Sequence, residues 1–410
     1  MTPTALKRVP RLAALLVAAT VAVAACSSGG NEAGSNNGGS DKTVTLGLLT
    51  SLTGPLSALY GKPTVAATQA RVDLANDTSE IPGVKLKLVV KDDQSTPAGA
   101  LAATQVLVNE QHIFALVDAS AVFAGAYKYT VQRNLPVLGW PDSREFSDPA
   151  NKNLFAYFGS PSDTYAPIKN LGLFLQSQGA TKACRLATAN VPAATKGANQ
   201  FADSAKIVGL PVPYSADIPP TTTDMNSYAL AMQKAGCDSV VMLTPPNTVV
   251  ALLRDLANLG VHLKATIGPS YHQEALEPSV VAAEDGLDFL SQYQPYWMNT
   301  PAVNNVKAAM KKYANVDTEA PAAGFYWGWI PADLAITGLK LPGASKSQST
   351  FINELRKVNN YDAGGFICPV DFTKTNYVVA GVFSTCLYMS KIKSGHFVAP
   401  PNVSQPIRLQ

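Results

Sequence analysis

From residue 43 onward the apolar positions fall into a repeating order of short strands and longer helices. Val44, Leu46 and Leu48 alternate with polar or small neighbours, the period-2 pattern of a strand. Thr53-Gly54-Pro55 interrupts the run as a loop, and Pro63 is placed to open a helix carrying Ala67, Ala70 and Leu74 at helical spacing. Leu86, Leu88 and Val90 predict a second strand, followed by a helix over 97–111, a buried strand over 113–117, a helix over 123–133 and a strand over 135–138. The order then starts again. Helices are predicted over 165–178, 197–207, 228–235 and 247–259, with strands at 184–188, 212–216, 239–243 and 266–267. Such alternation builds a parallel sheet covered by helices on both faces. Two successive units of similar size imply two similar α/β lobes. Helices predicted over 303–313, 327–340 and 351–358 bring no strands of their own, so they cover sheets already built and the chain crosses between lobes more than once.

Composition narrows the function. The chain has 410 residues, 47% of them hydrophobic, which excludes a disordered protein and exceeds what one core serves. Lys7, Arg8 and Arg11 are the only charges in residues 1–25, so removing those three from the formal +3 leaves a neutral body. A neutral body excludes sequence-independent nucleic-acid binding, which needs a net basic face. The three basic residues precede an apolar run over 12–25 that is shorter than the roughly 20 residues of a membrane span. The run closes on Val23-Ala24-Ala25-Cys26, a small-residue cleavage site. This resembles the lipobox of bacterial lipoprotein signal peptides, in which the cysteine thiol takes a diacylglycerol and becomes the new N-terminus. Residues 26–42, rich in Gly, Ser and Asn, read as a flexible tether. No later segment holds 18 unbroken apolar residues, so the body is expected to be soluble.

Four cysteines remain. An even number in an exported chain favours disulfides. Of the three pairings, the element order prefers Cys184–Cys237, at the entrances of two neighbouring strands, and Cys368–Cys386, which flank a hairpin-like pair. Signs of catalysis are missing. His112, His262, His272 and His396 show no metal-ligand spacing, and no Gly-x-Ser-x-Gly occurs. Gly61-Lys62-Pro63-Thr64 fails as a phosphate loop, because Gly54 is too far upstream and Pro63 replaces the magnesium-binding hydroxyl. No Gly-x-Gly-x-x-Gly follows a predicted strand. Asp92-Asp93 reads as a solvated carboxylate pair leading into the helix at Pro97. No enzyme, metal or cofactor is therefore expected.

One segment is specific. Leu46-Gly47-Leu48-Leu49-Thr50-Ser51-Leu52-Thr53-Gly54-Pro55, continuing to Tyr60-Gly61, resembles the opening of the leucine/isoleucine/valine-binding protein family, the type I substrate-binding lipoproteins of ABC importers. Val89-Val90-Lys91-Asp92-Asp93, Leu135-Pro136-Val137-Leu138 and the aromatic run Phe325-Tyr326-Trp327-Gly328-Trp329 resemble later parts of the family pattern. The resemblance covers nearly all of 43–396 and implies two Rossmann-like lobes joined by three crossovers, closing on a ligand by a hinge motion. The expected division is 1–25 signal peptide, 26–42 tether, 43–158 with 292–372 as the first lobe, and 159–291 with 373–410 as the second. Ligands of open α/β sheets bind beyond the carboxyl ends of the strands. Those ends offer Tyr60, Ser120, Phe123, Trp140, Ser143 and Tyr271, joined by Trp329 from the late helix.

By resemblance, Tyr60 walls the ligand side chain, Ser143 and Ser120 supply hydroxyls to its polar end, and Trp329 is the late aromatic. The departures carry information. Amino-acid binders of the family place an acid after Gly-Pro to pair the ligand ammonium, whereas this chain reads Gly268-Pro269-Ser270. The tyrosine of the second lobe's first loop gives way to residues around Val191-Pro192, and small aromatics give way to Thr244-Pro245-Pro246. A buried unpaired ammonium costs several kcal/mol. The expected ligand is therefore an aromatic or aliphatic acid or amide in preference to an amino acid. The expected protein is a monomeric, membrane-anchored solute receptor handing its ligand to an ABC permease; the alternatives are a ligand sensor of the same fold and a lipid-anchored hydrolase. Cys26→Ala should move the protein from the membrane fraction to the soluble fraction. Continued incorporation of labelled palmitate by that variant would show that the anchor lies elsewhere.

Overall fold

The computed structural model describes residues 42–139, 144–158, 167–268, 270–278, 280–374 and 386–408. Cys26, its leader and most of the tether lie outside them. The first alternating run forms β1 (Lys42–Thr50), whose Leu46, Leu48 and Leu49 are fully buried. The chain continues through α1 (Ser57–Asp77), β2 (Val84–Asp92), α2 (Pro97–Asn109), β3 (Ala115–Ala119), α3 (Tyr127–Gln132), β4 (Val137–Gly139) and β5 (Leu154–Ala156). Their strands make one parallel sheet in the order β2-β1-β3-β4-β5. The second unit runs α4 (Lys169–Ser177), β6 (Ala183–Thr188), α5 (Pro192–Ile207), β7 (Tyr214–Ile218), α6 (Asn226–Ala235), β8 (Ser239–Leu243), α7 (Pro246–Asn258) and β9 (Ala265–Ile267). Its parallel sheet has the order β7-β6-β8-β9. This is the α/β architecture expected from the sequence.

The third sheet was not foreseen. After α8 (Val281–Glu284), β10 (Asp288–Ser291) continues past β9, and Ser270 bridges to Leu290. Three helices follow, α9 (Pro301–Ala314), α10 (Phe325–Leu339) and α11 (Gln348–Leu355). The chain then returns as β11 (Cys386–Lys393), β12 (His396–Val398) and β13 (Ile407–Arg408). β11 pairs antiparallel with β10, β12 and β13. These strands are short, and β10 finds its partner almost a hundred residues downstream, so no local pattern announces them. Smaller corrections have local causes. Pro63 lies inside α1, because the helix already starts at Ser57 and passes a kink at Gly61. The helix expected at 123–133 splits into a 3₁₀ turn at Phe123–Gly125 and α3. Cys184 bonds Cys237 and Cys368 bonds Cys386. Among the described residues, no helix is long and apolar enough to cross a membrane.

α10 covers the first sheet beside α1, and the two helices approach until backbone meets backbone. A Cβ on Gly328 would sit 2.3 Å from the Thr64 carbonyl oxygen. Thr64 Oγ1 donates to the carbonyl of Gly324 at 3.0 Å. One turn beyond, buried Arg71 of α1 bonds Asp333 of α10 at 2.8 Å and grips Glu80 with both terminal nitrogens, at 2.8 and 2.9 Å. Tyr361 completes that end by donating to Asp333 at 3.0 Å. Ala in place of Gly inside a helix ordinarily stabilises by about 0.5–1 kcal/mol. At Gly328 the sign should reverse. We expect Gly328→Ala to cost about 1–3 kcal/mol through overpacking, read as a lower melting temperature. A variant as stable as the parent would disprove this close contact.

Candidate functional site

Register brings the first sheet's loops out at one level, since Thr50 lies opposite both Asp92 and Ala119, and Asp118 lies opposite Gly139. Two adjacent carboxylates bind these loops together. Asp93 is fully buried. It accepts from Ser51 Oγ at 2.7 Å, from the Ser95 N–H at 2.7 Å and from Ser120 Oγ at 2.5 Å. Asp92 accepts from the N–H groups of Leu52, Thr53 and Gln94 at 2.9, 3.2 and 2.8 Å, and from Thr53 Oγ1 at 2.6 Å. Ser95 closes the clamp by donating to the Thr53 carbonyl at 2.7 Å and accepting from the Leu56 N–H. Gly54 turns this corner at φ +82°, where a Cβ would meet Ser95. The expectation of a solvated pair is thus corrected for Asp93, while Asp92 stays partly exposed. Alternation turns Asp93 inward, where hydroxyls and main-chain donors replace water.

Ser120 is corrected with it. Its proton goes to Asp93, and its oxygen accepts from the Val122 N–H at 3.2 Å. The side chain is fully buried and spends its donor inside the protein. It orders the rim; its proton is not offered to a ligand carboxylate.

Beyond the clamp stands Tyr60. Its ring stacks on Trp327 of α10 with centroids 4.2 Å apart and planes inclined by 20°. From there an aromatic chain continues through Tyr326 at 4.7 Å and Tyr293 at 5.3 Å, then Tyr271 at 6.1 Å and Phe397 at 4.5 Å. Tyr157, buried beside Tyr60, Tyr326 and Asp118, joins it just past β5. Burial first, then those three neighbours, pushes the Tyr157 phenol well above its usual range, and burial does the same to Tyr326. These hydroxyls therefore stay protonated and neutral at physiological pH. The arrangement is built of ring faces and neutral hydroxyls; Tyr60 itself is 6% exposed, and Trp327 is the half-buried member of the stack. Among the described residues, no group of three His, Cys, Asp or Glu side chains is placed to hold a metal ion.

Three expected wall residues sit in packing instead. Phe123 is fully buried against Phe146, with centroids 5.5 Å apart. Trp329 is buried against Phe325, at 6.0 Å. Tyr271 is 1% exposed. Its hydroxyl donates to the Glu319 carbonyl at 3.2 Å and accepts from the Tyr296 N–H at 3.0 Å. Trp140 and Ser143 lie outside the described residues. A helix turns about 100° per residue, so residues 327 and 329 face nearly opposite ways and only one reaches the loop ends. The Gly324, Gly328 and Ala332 spacing could have marked the face of α10 that meets α1, and with it Trp327 as the ring beside Tyr60. Tyr157 and Tyr326 carried no comparable signal.

Comparison with known proteins gives the following. A family model described as periplasmic binding protein matches residues 43–396. No curated protein matches the chain. Among solved structures, a branched-chain amino acid ABC transporter protein from Thermus thermophilus with bound valine is 19% identical, with a TM-score of 0.70, covering 90% of this chain and 97% of its own. A fatty acid ABC transporter substrate-binding protein from Thermomonospora curvata is 20% identical, with a TM-score of 0.70 and coverages of 90% and 93%. An ABC transporter solute-binding protein from R. palustris in complex with benzoate is 16% identical, with a TM-score of 0.68 and coverages of 89% and 99%. At these identities the likeness is one of fold.

The clamp makes a pH prediction. Burial raises the Asp92 carboxyl, but the bonds from Thr53, Gln94 and Leu52 outweigh it and hold the group below its usual range. A carboxyl depressed in the folded state stabilises above its unfolded pKa, and that contribution fades as pH falls through the folded one. Asp92→Asn should therefore melt about a degree or two lower than the parent at pH 7, with the gap closing below about pH 4. A gap that persists at pH 2.5 would contradict the assignment.

Proposed function

The chain belongs to the periplasmic binding protein family, and we propose that it is the extracytoplasmic solute receptor of an ABC importer of the branched-chain amino acid type. It binds one small organic ligand at the carboxyl ends of the first sheet's strands and carries out no bond-breaking. The observation that carries this reading is the Tyr60–Trp327 stack standing beside a rim whose carboxylates are already occupied. A ring face beside neutral hydroxyls suits an apolar body with one polar end. The lobes divide near the crossings at 158, 291 and 372, a reading supported by the separate parallel sheets and by the junction of β9 with β10. Closure of the second lobe would bury the ligand, and the closed form would be what the permease recognises. The anchor is a diacylglycerol on Cys26, and the receptor works as a monomer.

The ligand class is an aromatic or larger aliphatic acid or amide. Ser270, exposed past β9, supplies no charge to an ammonium. The related folds carry valine, a fatty acid and benzoate by their descriptions, so the scaffold accommodates ligands with and without an amine. Trp140 and Ser143 remain proposed members of the site.

A thermal-shift screen of the full chain tests this, because a ligand specific for the folded state at about 100 times its Kd stabilises by about 2.7 kcal/mol. We expect little response to leucine and a clear one to an aromatic or larger aliphatic acid or amide. Tyr60→Leu keeps an apolar side chain but removes the ring, and should weaken that ligand by about tenfold. A strong leucine response, or unchanged affinity in Tyr60→Leu, would overturn the reading.

A further inference from the structure

A cavity of about 430 Å³ lies between α1 and α9 and is closed at one side by the start of α10. Its lining contains neither the clamped loop nor Tyr60, Tyr157 or Trp327, so it is separate from the strand ends. The volume falls within the range of small-molecule sites, about 300–1,000 Å³. Met310, Val316 and Phe325 give it an apolar wall, and Phe325 and Met310 are themselves buried.

Two lysines and a tyrosine stand around this wall. Lys62 enters from α1 and half-buried Lys307 from α9, and among the described residues neither ammonium has an ion-pair or hydrogen-bond partner. Lys307 Nζ stands 5.5 Å from the centre of the Tyr296 ring. Asp317 shares the lining but is bonded by Lys311 at 2.7 Å. Lys311 first, and Lys307 from farther off, hold its carboxyl below the usual range. The Tyr296 side chain is 6% exposed, and its hydroxyl also has no partner among the described residues. Burial pushes that phenol up, so it remains an O–H donor. Asp317 is the one carboxylate of the lining, and Lys311 already engages it.

We propose that this cavity binds a monocarboxylate with an apolar body, its carboxylate held by Lys62, Lys307 and the Tyr296 hydroxyl and its hydrocarbon laid on Met310, Val316 and Phe325. The site does not depend on the ligand chosen at the strand ends. It is built jointly by α1, α9 and the segments at Gln273 and Tyr296 beside the second and third sheets, so occupancy would tie these parts together.

Lysine acetylation of the full chain, read residue by residue by mass spectrometry, separates this site from the other. Octanoate at about ten times its Kd should slow modification of Lys62 and Lys307 about tenfold while leaving Lys311 and Lys312 unchanged. Uncharged octanamide should protect at least tenfold less well. Tyr60→Leu should leave the protection intact, and Tyr296→Phe should raise the octanoate concentration needed for it several-fold. The proposal fails if octanoate protects neither lysine, if it protects all four equally, if octanamide does as well, or if Tyr60→Leu abolishes the effect.

Discussion

The nearness of α1 and α10 is the constraint on which the rest of the molecule depends. Helices ordinarily pack with axes 8–10 Å apart, and only small residues at the contact let them come closer. Here Gly324 and Gly328 leave no side chain in the way, so Thr64 and its neighbours meet bare backbone. The far end is tied by the Arg71–Asp333 pair and its Glu80 and Tyr361 partners. Removing one member of such a buried pair strands a charge and costs about 3–5 kcal/mol. Between these two fixings the helices behave as one body. Their amino ends bring Tyr60 and Trp327 face to face.

The carboxylate clamp and the aromatic chain do complementary work. Asp92 and Asp93 fix the loop backbone from within, using hydroxyl and main-chain donors that would otherwise be free to move with solvent. The rings then extend from this fixed rim toward the third sheet, with Tyr293 packed on Tyr326, Phe366 and Tyr271. Aromatic pairs contribute about 0.5–1.5 kcal/mol each beyond their burial. A continuous row of them is stiff. Binding to a stiff surface loses less to ordering than binding to one that must first be assembled.

How much of this could be read from the chain differs by element. Most strands of the two parallel sheets betray themselves between turn signals, but β5, three residues long, was missed. Tyr60 was singled out because it closes a distinctive loop, and the structure shows it stacked on Trp327. The order of strands favoured Cys184–Cys237, at the entrances of β6 and β8. The third sheet was not legible, because β10, β12 and β13 have two to four residues each and owe their existence to β11. Asp93 was misjudged for a related reason. Charge suggests exposure, and only the convergence of three loops reveals that its neighbours are all donors. The exchange of Trp329 for Trp327 came from reading a helix as a list of residues and neglecting which of its sides the glycines commit.

The return of β11 to β10 has a bearing on how the chain comes together in time. Strands β1 to β5 lie within residues 42–156, yet the helix that covers part of their sheet begins at Phe325. β10 stays an open edge until Cys386 and the residues after it have been made. Neither half is finished by its own stretch of polypeptide: the segments made late supply both the cover of the first sheet and the partner of β10, so a truncation before Phe325 would leave both halves open, and one anywhere before Cys386 would still leave β10 without its partner.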